Sequence, residues 1–235
     1  MPVSEKSAST FRQFTPAALL GPLNEAEAKN APPALWVAGR HQLLKTAQRV
    51  SIVGSRAATP AGLKRAARLS RALAKNGIVV VSGLAKGIDT AAHRAAIDEG
   101  GATIAVLGTP LDRVYPKENE GLQREIMESH LAVSQFPPGG FVGRGNFVMR
   151  NRTMALIVAA SVIVEAGETS GSLSQGWEAL RLGRPLFLLR SIVEREDLKW
   201  PKEMLDYGAV VLAEEDDLLE AVPRMDDDTL EAAAF

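Results

Sequence analysis

The 235-residue sequence contains no cysteine, which excludes disulfide bonds, thiolate catalysis and zinc sites built on cysteine. Its three histidines, His41, His93 and His130, show no metal-ligand spacing, so no metal site is expected. The sequence also lacks the GxGxxG fingerprint of dinucleotide-binding oxidoreductases and the GxxxxGK[ST] loop of P-loop NTPases. No cofactor is therefore expected.

The sequence also lacks long apolar runs, and its net charge is close to zero. No run approaches the length of a transmembrane helix, and the first ten residues lack the apolar core of a signal peptide. We therefore expect a cytoplasmic protein with no membrane contact. The formal net charge is −1, but residues 40–94 hold eleven Lys/Arg and one acid, whereas residues 194–235 hold fourteen acids and four Lys/Arg. The basic part is expected to face a phosphate backbone.

Short apolar runs alternate with amphipathic stretches along the chain, which is typical of an α/β domain with a mainly parallel sheet and helices on both faces. We predict one such domain over residues 31–221, preceded by a partly ordered arm (1–30) and followed by an acidic tail (222–235). Helices are predicted near 60–76, 89–99, 119–129, 149–160, 172–182, 201–207 and 215–221. The predicted strands are Val50–Val53, Ile78–Val81, Thr103–Leu107, Leu131–Ser134, Val162–Glu165, Leu186–Leu189 and Ala209–Leu212.

A glycine-rich loop follows the second predicted strand. Its polar and flexible residues are Ser82, Gly83, Lys86, Gly87 and Asp89. Such a loop can turn its N–H groups toward a phosphate at the start of the next helix, with Lys86 adding charge. The alternative is an ordinary strand-to-helix turn with Asp89 as the N-cap. His93 shares a helix face with Asp89, and this pair either polarises a phosphate site or is structural.

A similar loop, Gly54-Ser55-Arg56, follows the first predicted strand. Thr59, Pro60 and Gly77 are typical of the two ends of the next helix. Arg56 would then lie at the edge where open α/β sheets bind ligands, although a surface role is the alternative.

The segment from Pro137 to Arg152 is rich in glycine and is predicted to be a loop before an apolar helix, Met154–Ala160. It carries arginine next to an aromatic ring, the combination that single-stranded nucleic acid requires. The alternative is that Phe147 fills the core and that Arg150 or Arg152 pairs with Glu165. The candidate site residues of this segment are Asn146, Phe147, Arg150, Asn151 and Arg152.

A third candidate loop follows Glu165, at the end of the strand that begins at Val162. Ser170 and Ser172 are natural N-caps for the next helix, and Gly171 allows a phosphate to approach closely. These three residues complete the predicted binding set, with Glu165 in a supporting role.

Five motifs in order carry a family resemblance: VGSR, SGLAKGIDTAAH, AVLGTPLDRVYPKEN, GNFVMRNR and VIVEAGETSGSL. Over about residues 32–190 the sequence resembles the DNA-processing protein A family (DprA, also called Smf), whose Rossmann-like core is related to the LOG-type nucleotide phosphoribohydrolases. The resemblance implies binding of single-stranded DNA without sequence specificity and loading of a RecA-type recombinase in natural transformation. It also implies a homodimer and no covalent chemistry.

The sequence departs from the family pattern at several positions. Val148 stands where the family usually has proline, and Gln175-Gly176 stand where it usually has Thr-Ala. We expect a Rossmann-like core without the helical domain that usually precedes it in the family or the winged-helix domain that often follows it, either because the core stands alone or because the sequence is truncated. The alternative function is a nucleotide-binding or LOG-like nucleotide-cleaving enzyme or sensor, for which Glu178 is the candidate carboxylate. A dimeric scaffold with a vestigial pocket is a third possibility.

Overall fold

The apolar runs form the strands of one sheet, as the sequence predicts. The computed structural model describes residues 11–45, 48–213 and 215–222, and within these ranges the chain forms nine strands. They are β1 (Arg12–Phe14), β2 (Leu35–Gly39), β3 (Arg49–Gly54), β4 (Val79–Ser82), β5 (Thr103–Leu107), β6 (Leu131–Ser134), β7 (Ala160–Glu165), β8 (Leu186–Leu189) and β9 (Val210–Leu212). The seven predicted strands are β3 to β9, and the α/β fold class is confirmed.

Ten α-helices connect these strands within the same described ranges: α1 (Pro16–Leu20), α2 (Glu25–Asn30), α3 (Pro60–Lys75), α4 (Ile88–Asp98), α5 (Glu120–Ser129), α6 (Arg144–Ile157), α7 (Leu173–Arg181), α8 (Arg190–Val193), α9 (Trp200–Asp206) and α10 (Glu215–Ala221). The start of α3 follows the sequence signals, because the Thr59 hydroxyl accepts a hydrogen bond from Gly62 N at 3.0 Å and Pro60 opens the helix. No helix in the described ranges is long and apolar enough to cross a bilayer.

The strand order creates a crevice at one edge of the sheet. The order is β1-β2-β6-β5-β4-β3-β7-β8-β9; β1, β2 and β6 pair antiparallel, and the pairs from β6 to β9 are parallel. The chain proceeds outward from β3 to β6, returns across the sheet and continues from β7 in the opposite direction. The loops after β3 and β7 therefore diverge, and ligands of open α/β sheets bind at such a switch point.

Helix α6 makes the return crossing from β6 to β7. The prediction that Pro137 to Arg152 is a loop before a helix over Met154–Ala160 is wrong, because α6 begins at Arg144 and ends at Ile157. The glycines at 143 and 145 lie at the start of the helix, and burial of its second half outweighs their low helix propensity. The arginines of this segment are therefore held on a rigid element.

Residues 12–39 add elements that the sequence analysis did not assign. Strand β1 pairs with β2, and β2 pairs with β6, so this segment extends the sheet at one edge. The short strands and helices here lack a clear period, which explains why they could not be predicted from periodicity. Residues 1–10, and the predicted acidic tail beyond Val222, lie outside the described residues.

His93 is fully buried beneath the sheet surface rather than facing a ligand. Its Nδ1 lies 2.6 Å from the Thr103 hydroxyl, which donates to Val80 O at 2.7 Å, so Nδ1 carries the proton. Burial lowers the pKa of His93 to about 3, with the neighbouring His130 and Arg150 adding to the shift. The imidazole is therefore a neutral part of the core.

This burial predicts a pH dependence of stability. Between pH 6.5 and about 3 the unfolded chain binds a proton at His93 that the folded chain excludes, so stability falls as the pH falls through this range. Replacing His93→Asn keeps a hydrogen-bonding group near Thr103 without a titrating ring. Urea unfolding at pH 7 and pH 5 should show about 2 kcal/mol less acid destabilisation in the variant than in the wild type. Equal losses in both proteins would contradict the assignment.

Candidate functional site

A cavity of about 500 Å³ lies at the switch point between β3 and β7. Its walls come from the loops after β3, β4 and β7 and from the first half of α6, which are the regions that the sequence singled out. Ten predicted site or supporting residues line it: Gly54, Ser55, Arg56, Asp89, Phe147, Arg150, Asn151, Ser170, Gly171 and Ser172. The parallel strands end at one edge, which explains why residues so distant in sequence meet.

Arg56 and Phe147 lie against each other in the cavity wall. The guanidinium carbon of Arg56 lies 5.6 Å from the centroid of the half-buried Phe147 ring, within the range of a cation–π contact. The ring also packs against Tyr115, with centroids 5.2 Å apart, and lies so close to Gly108 that a Cβ there would be 2.5 Å from Cδ1. A positive charge and an aromatic face are thus held side by side.

Arg150 is buried beneath the cavity and is only 6% exposed. Its Nη1 donates hydrogen bonds to Gly83 O and Val106 O, both at 2.6 Å, and its Nε donates to Asn151 Oδ1 at 3.0 Å. The guanidinium therefore joins α6 to the ends of β4 and β5. This geometry favours a positioning role over the direct phosphate contact expected from the sequence.

Asp89 supplies the opposite charge in this buried cluster. Its Oδ2 accepts a hydrogen bond from Ala85 N at 3.2 Å. Burial raises the pKa of Asp89, while the adjacent Arg150 guanidinium and the hydrogen bonds to the loop oppose the rise. Burial likewise lowers the pKa of Arg150, and Asp89 opposes that shift. Each group therefore stabilises the charged form of the other.

The loops after β3 and β4 are packed tightly against each other. Gly87 has φ of +77°, and a Cβ there would collide with the carbonyl oxygens of Ser55 and Arg56. Ile88 N donates to Ser55 O at 3.2 Å. Because Gly87 has no side chain, the two loop backbones can approach each other closely. This packing fixes the position of Arg56.

Glu165 supports the same loop from the end of β7. Its carboxylate accepts hydrogen bonds from Thr59 N at 2.8 Å and from the Thr59 hydroxyl at 2.5 Å. The backbone adds a bond from Ser55 N to Glu165 O at 2.7 Å. Through these hydrogen bonds, Glu165 fixes the segment that carries Arg56.

The loop after β7 is tied to α6 by Asn151, whose side-chain amide donates to Gly171 O at 3.0 Å and to the Ser174 hydroxyl at 2.5 Å. The hydroxyls of Ser170 and Ser172 lie 2.7 Å apart. Ser172 precedes α7 at the N-cap position, but its side chain makes no capping hydrogen bond. These hydroxyls remain in the cavity wall as polar groups.

Six predicted binding residues do not line the cavity: Ser82, Gly83, Lys86, Gly87, Asn146 and Arg152. Lys86 forms an ion pair with Glu118, and Arg152 donates from Nε to Glu178 at 3.0 Å. The Ser82 hydroxyl donates to Ile52 O at 2.7 Å, and Asn146 donates to Phe141 O at 3.1 Å. The structure therefore gives each of these four side chains a partner within the protein.

Sequence reasoning missed two residues at the site: Tyr115, which packs against Phe147, and Gln175, which lines the cavity. Tyr115 was missed because it lies in the loop after β5, where no phosphate-type pattern marks it. Gln175 was noted only as a departure from the family; its amide is buried and donates to the Ser161 hydroxyl at 3.2 Å, near Ser51. A long polar side chain on the inner face of α7 was the sequence feature that could have marked Gln175.

The arrangement gives little support to carboxylate chemistry. Glu178, the candidate for a LOG-like reaction, pairs with Arg152 and Arg181 and lies outside the cavity lining. Among the described residues that line the cavity, the acidic side chain is Asp89, which is buried against Arg150. The accessible chemistry is binding by cations, backbone groups and an aromatic ring.

A sequence model of the family described as DNA recombination-mediator protein A matches residues 19–223. The chain belongs to this family. The DNA processing protein DprA of Streptococcus pneumoniae is 41% identical over 182 residues, which are 76% of this chain and 64% of that protein. The chain spans about half to two thirds of the length of the curated DprA relatives it matches.

Solved structures of the DprA family have the same fold. That of S. pneumoniae DprA has a TM-score of 0.79 and 35% identity, covering 92% of this chain and 75% of that one. A Helicobacter pylori DprA structure, described by its single-stranded DNA binding mode, has a TM-score of 0.75 and 31% identity, covering 90% and 96%. A molybdenum cofactor binding protein of Rippkaea orientalis, at 20% identity and a TM-score of 0.54, covers 74% and 94% and shares the fold.

The buried Arg150 cluster generates a stability prediction. Arg150→Met leaves Asp89 as an uncompensated buried charge and should lower the free energy of unfolding by about 3–5 kcal/mol. The matched variant Arg152→Met removes a partly exposed ion pair whose Glu178 keeps its contact with Arg181, and it should cost about 0–1 kcal/mol. Denaturant unfolding of both variants at pH 7 provides the measurement, and equal stabilities would argue against the positioning role.

Proposed function

We propose that this DprA-family chain binds single-stranded DNA without sequence specificity, through the cavity between β3 and β7. The observation that carries the proposal is the pairing of Arg56 with the Phe147 ring in the wall of that cavity. A guanidinium pairs with phosphate, and an aromatic face stacks on any base, so the pair recognises a strand without reading its sequence.

The neighbouring groups suit the backbone of such a strand. The Gly54–Ser55 segment at the end of β3 and the Ser170–Ser172 loop present peptide and hydroxyl groups from two sides of the cavity. A base that stacks on the face of Phe147 occupied by Arg56 must take the place of the guanidinium, which then becomes available to a phosphate. The similarity to the H. pylori protein, whose structure is described by its single-stranded DNA binding mode, supports this ligand.

The wider role follows from the family resemblance. We propose that the chain acts in the cytoplasm in natural transformation, loading a RecA-type recombinase, and that it forms a homodimer. The edge strand β9 supports the dimer, since Val210 and Val211 are exposed and Trp177 packs nearby against the exposed Tyr207. Exposed apolar groups at a sheet edge are typical of an interface.

A mononucleotide is the second candidate ligand, because a cavity of about 500 Å³ has the size of a small-molecule site. Fluorescence anisotropy with oligo(dT), duplex DNA and nucleoside monophosphates separates the two. We expect oligo(dT) to bind more tightly than duplex, with affinity that falls as salt is raised. Binding of mononucleotides with release of base would favour the second candidate, and equal affinity for duplex would contradict the first.

Replacing Arg56→Ala removes the cation of the site and should weaken oligo(dT) binding about tenfold or more, since charge-assisted contacts contribute about 1.5–3 kcal/mol. Stability should change little. The control Arg124→Ala makes the same charge change at an exposed position of α5. Anisotropy titrations at one salt concentration compare the three proteins; a folded Arg56→Ala protein with wild-type affinity would remove Arg56 from the site.

Replacement of Phe147 distinguishes stacking from core packing. If the ring stacks on a base, Phe147→Ala should lose affinity and Phe147→Trp should keep it, with melting temperatures little changed. If the ring serves the core, Phe147→Ala should cost about 3–5 kcal/mol of stability, and tryptophan should be poorly tolerated. Thermal melts and oligo(dT) titrations on both variants decide, and a large melting-temperature loss with normal binding would defeat the stacking role.

A further inference from the structure

A second groove, of about 230 Å³, lies at the same edge of the sheet as the cavity. Its apolar residues are Leu69 of α3, Leu189 and Leu212 at the ends of β8 and β9, and Ala213. Its polar residues are Arg65, Arg68, Arg190, Ser191 and Glu194. The groove thus places three guanidinium groups around a floor of buried leucine side chains.

The groove continues the line of the cavity. The cavity lies at the ends of β3 and β7, and the groove lies at the ends of β8 and β9, the next strands of the sheet. Adjacent strands are about 4.8 Å apart, so one or two strand spacings separate the two sites. Helix α3 connects them physically, since it begins after Arg56 and carries Arg65 and Arg68.

Two cations of the groove, Arg65 and Arg190, are available to a ligand. Within the ranges that the structure describes, the side chains of Arg65 and Arg190 take part in no hydrogen bond or ion pair, and Arg190 is exposed. Glu194 is the acidic residue in the groove lining, and it is exposed. A polyanion that enters the groove therefore meets the unpaired guanidinium groups of Arg65 and Arg190 and the carboxylate of Glu194.

We propose that this groove is a second subsite for the single-stranded DNA that occupies the cavity. It takes the phosphates of nucleotides that leave the cavity past β7, through the guanidinium groups of Arg65 and Arg190. The proposal rests on the proposed function. With this subsite, the protein contacts a longer stretch of single-stranded DNA than the cavity alone can hold.

The experiment compares short and long oligo(dT), of about 4 and about 20 nucleotides, on either side of the range that single-strand-binding folds occupy. In the full chain, Arg65→Ala/Arg190→Ala should leave affinity for the short strand unchanged and weaken the long strand about tenfold or more. For the long strand, the slope of the logarithm of the binding constant against the logarithm of the salt concentration should become shallower by about 1.4, because each of two phosphate contacts contributes about 0.7.

Two further variants sharpen the test. Lys64→Ala/Arg71→Ala removes the same charge from α3 outside the groove and should leave the binding of both strands close to wild type. Glu194→Gln removes the acid from the groove and should strengthen binding of the long strand alone, about twofold to fivefold. Circular dichroism and thermal melts confirm that each variant is folded.

The outcomes separate the subsite from the proposed function. A wild-type protein that binds neither strand overturns the function and the subsite with it. If the wild type binds and Arg56→Ala weakens both strands, but the groove variant loses no more on the long strand than its control, the subsite alone is overturned. Equal loss on both lengths would also overturn it, since that pattern indicates a general effect of charge.

Discussion

The hydrogen bonds of the Arg150 guanidinium hold the candidate site together. They connect the crossing helix α6 to the ends of β4 and β5, while Asp89 supplies a buried counter-charge. The neighbouring Asn151 extends the connection to the loop after β7. Removal of a charge from such a buried cluster costs far more than loss of a surface ion pair, so the position of Phe147 and the shape of the cavity depend on this one group.

The central sheet could be predicted from the sequence because strands β3 to β8 are buried on both faces. A short apolar run such as Ile78–Val81 is typical of a strand in a parallel sheet, and such runs predicted the strands β3 to β9. The first 39 residues gave no such signal, since β1 has only three residues and β2 pairs antiparallel near the edge of the sheet. Local sequence carries less information where pairing with β6 decides the structure.

The candidate site was predicted in its loops but not in its contacts. Gly54, Arg56 and Ser170 lie where phosphate-type patterns placed them. The contacts of Arg150 could not be predicted, because a sequence does not show that a guanidinium will donate hydrogen bonds to backbone carbonyls of two distant strands. The glycines around residue 143 suggested a loop, yet burial of the second half of α6 decided for a helix.

The hydrogen bonds between Glu165 and Thr59 have a consequence for ligand choice. In many dinucleotide-binding folds, the positive end of the first crossover helix receives a pyrophosphate. Here a carboxylate from β7 already meets the amide and hydroxyl at the start of α3. The carboxylate offsets the positive end of the helix dipole. In the proposed function, arginine side chains bind the phosphates in place of this helix N-terminus. Such side chains can follow the variable backbone of a polymer, which a rigid pyrophosphate cradle cannot do.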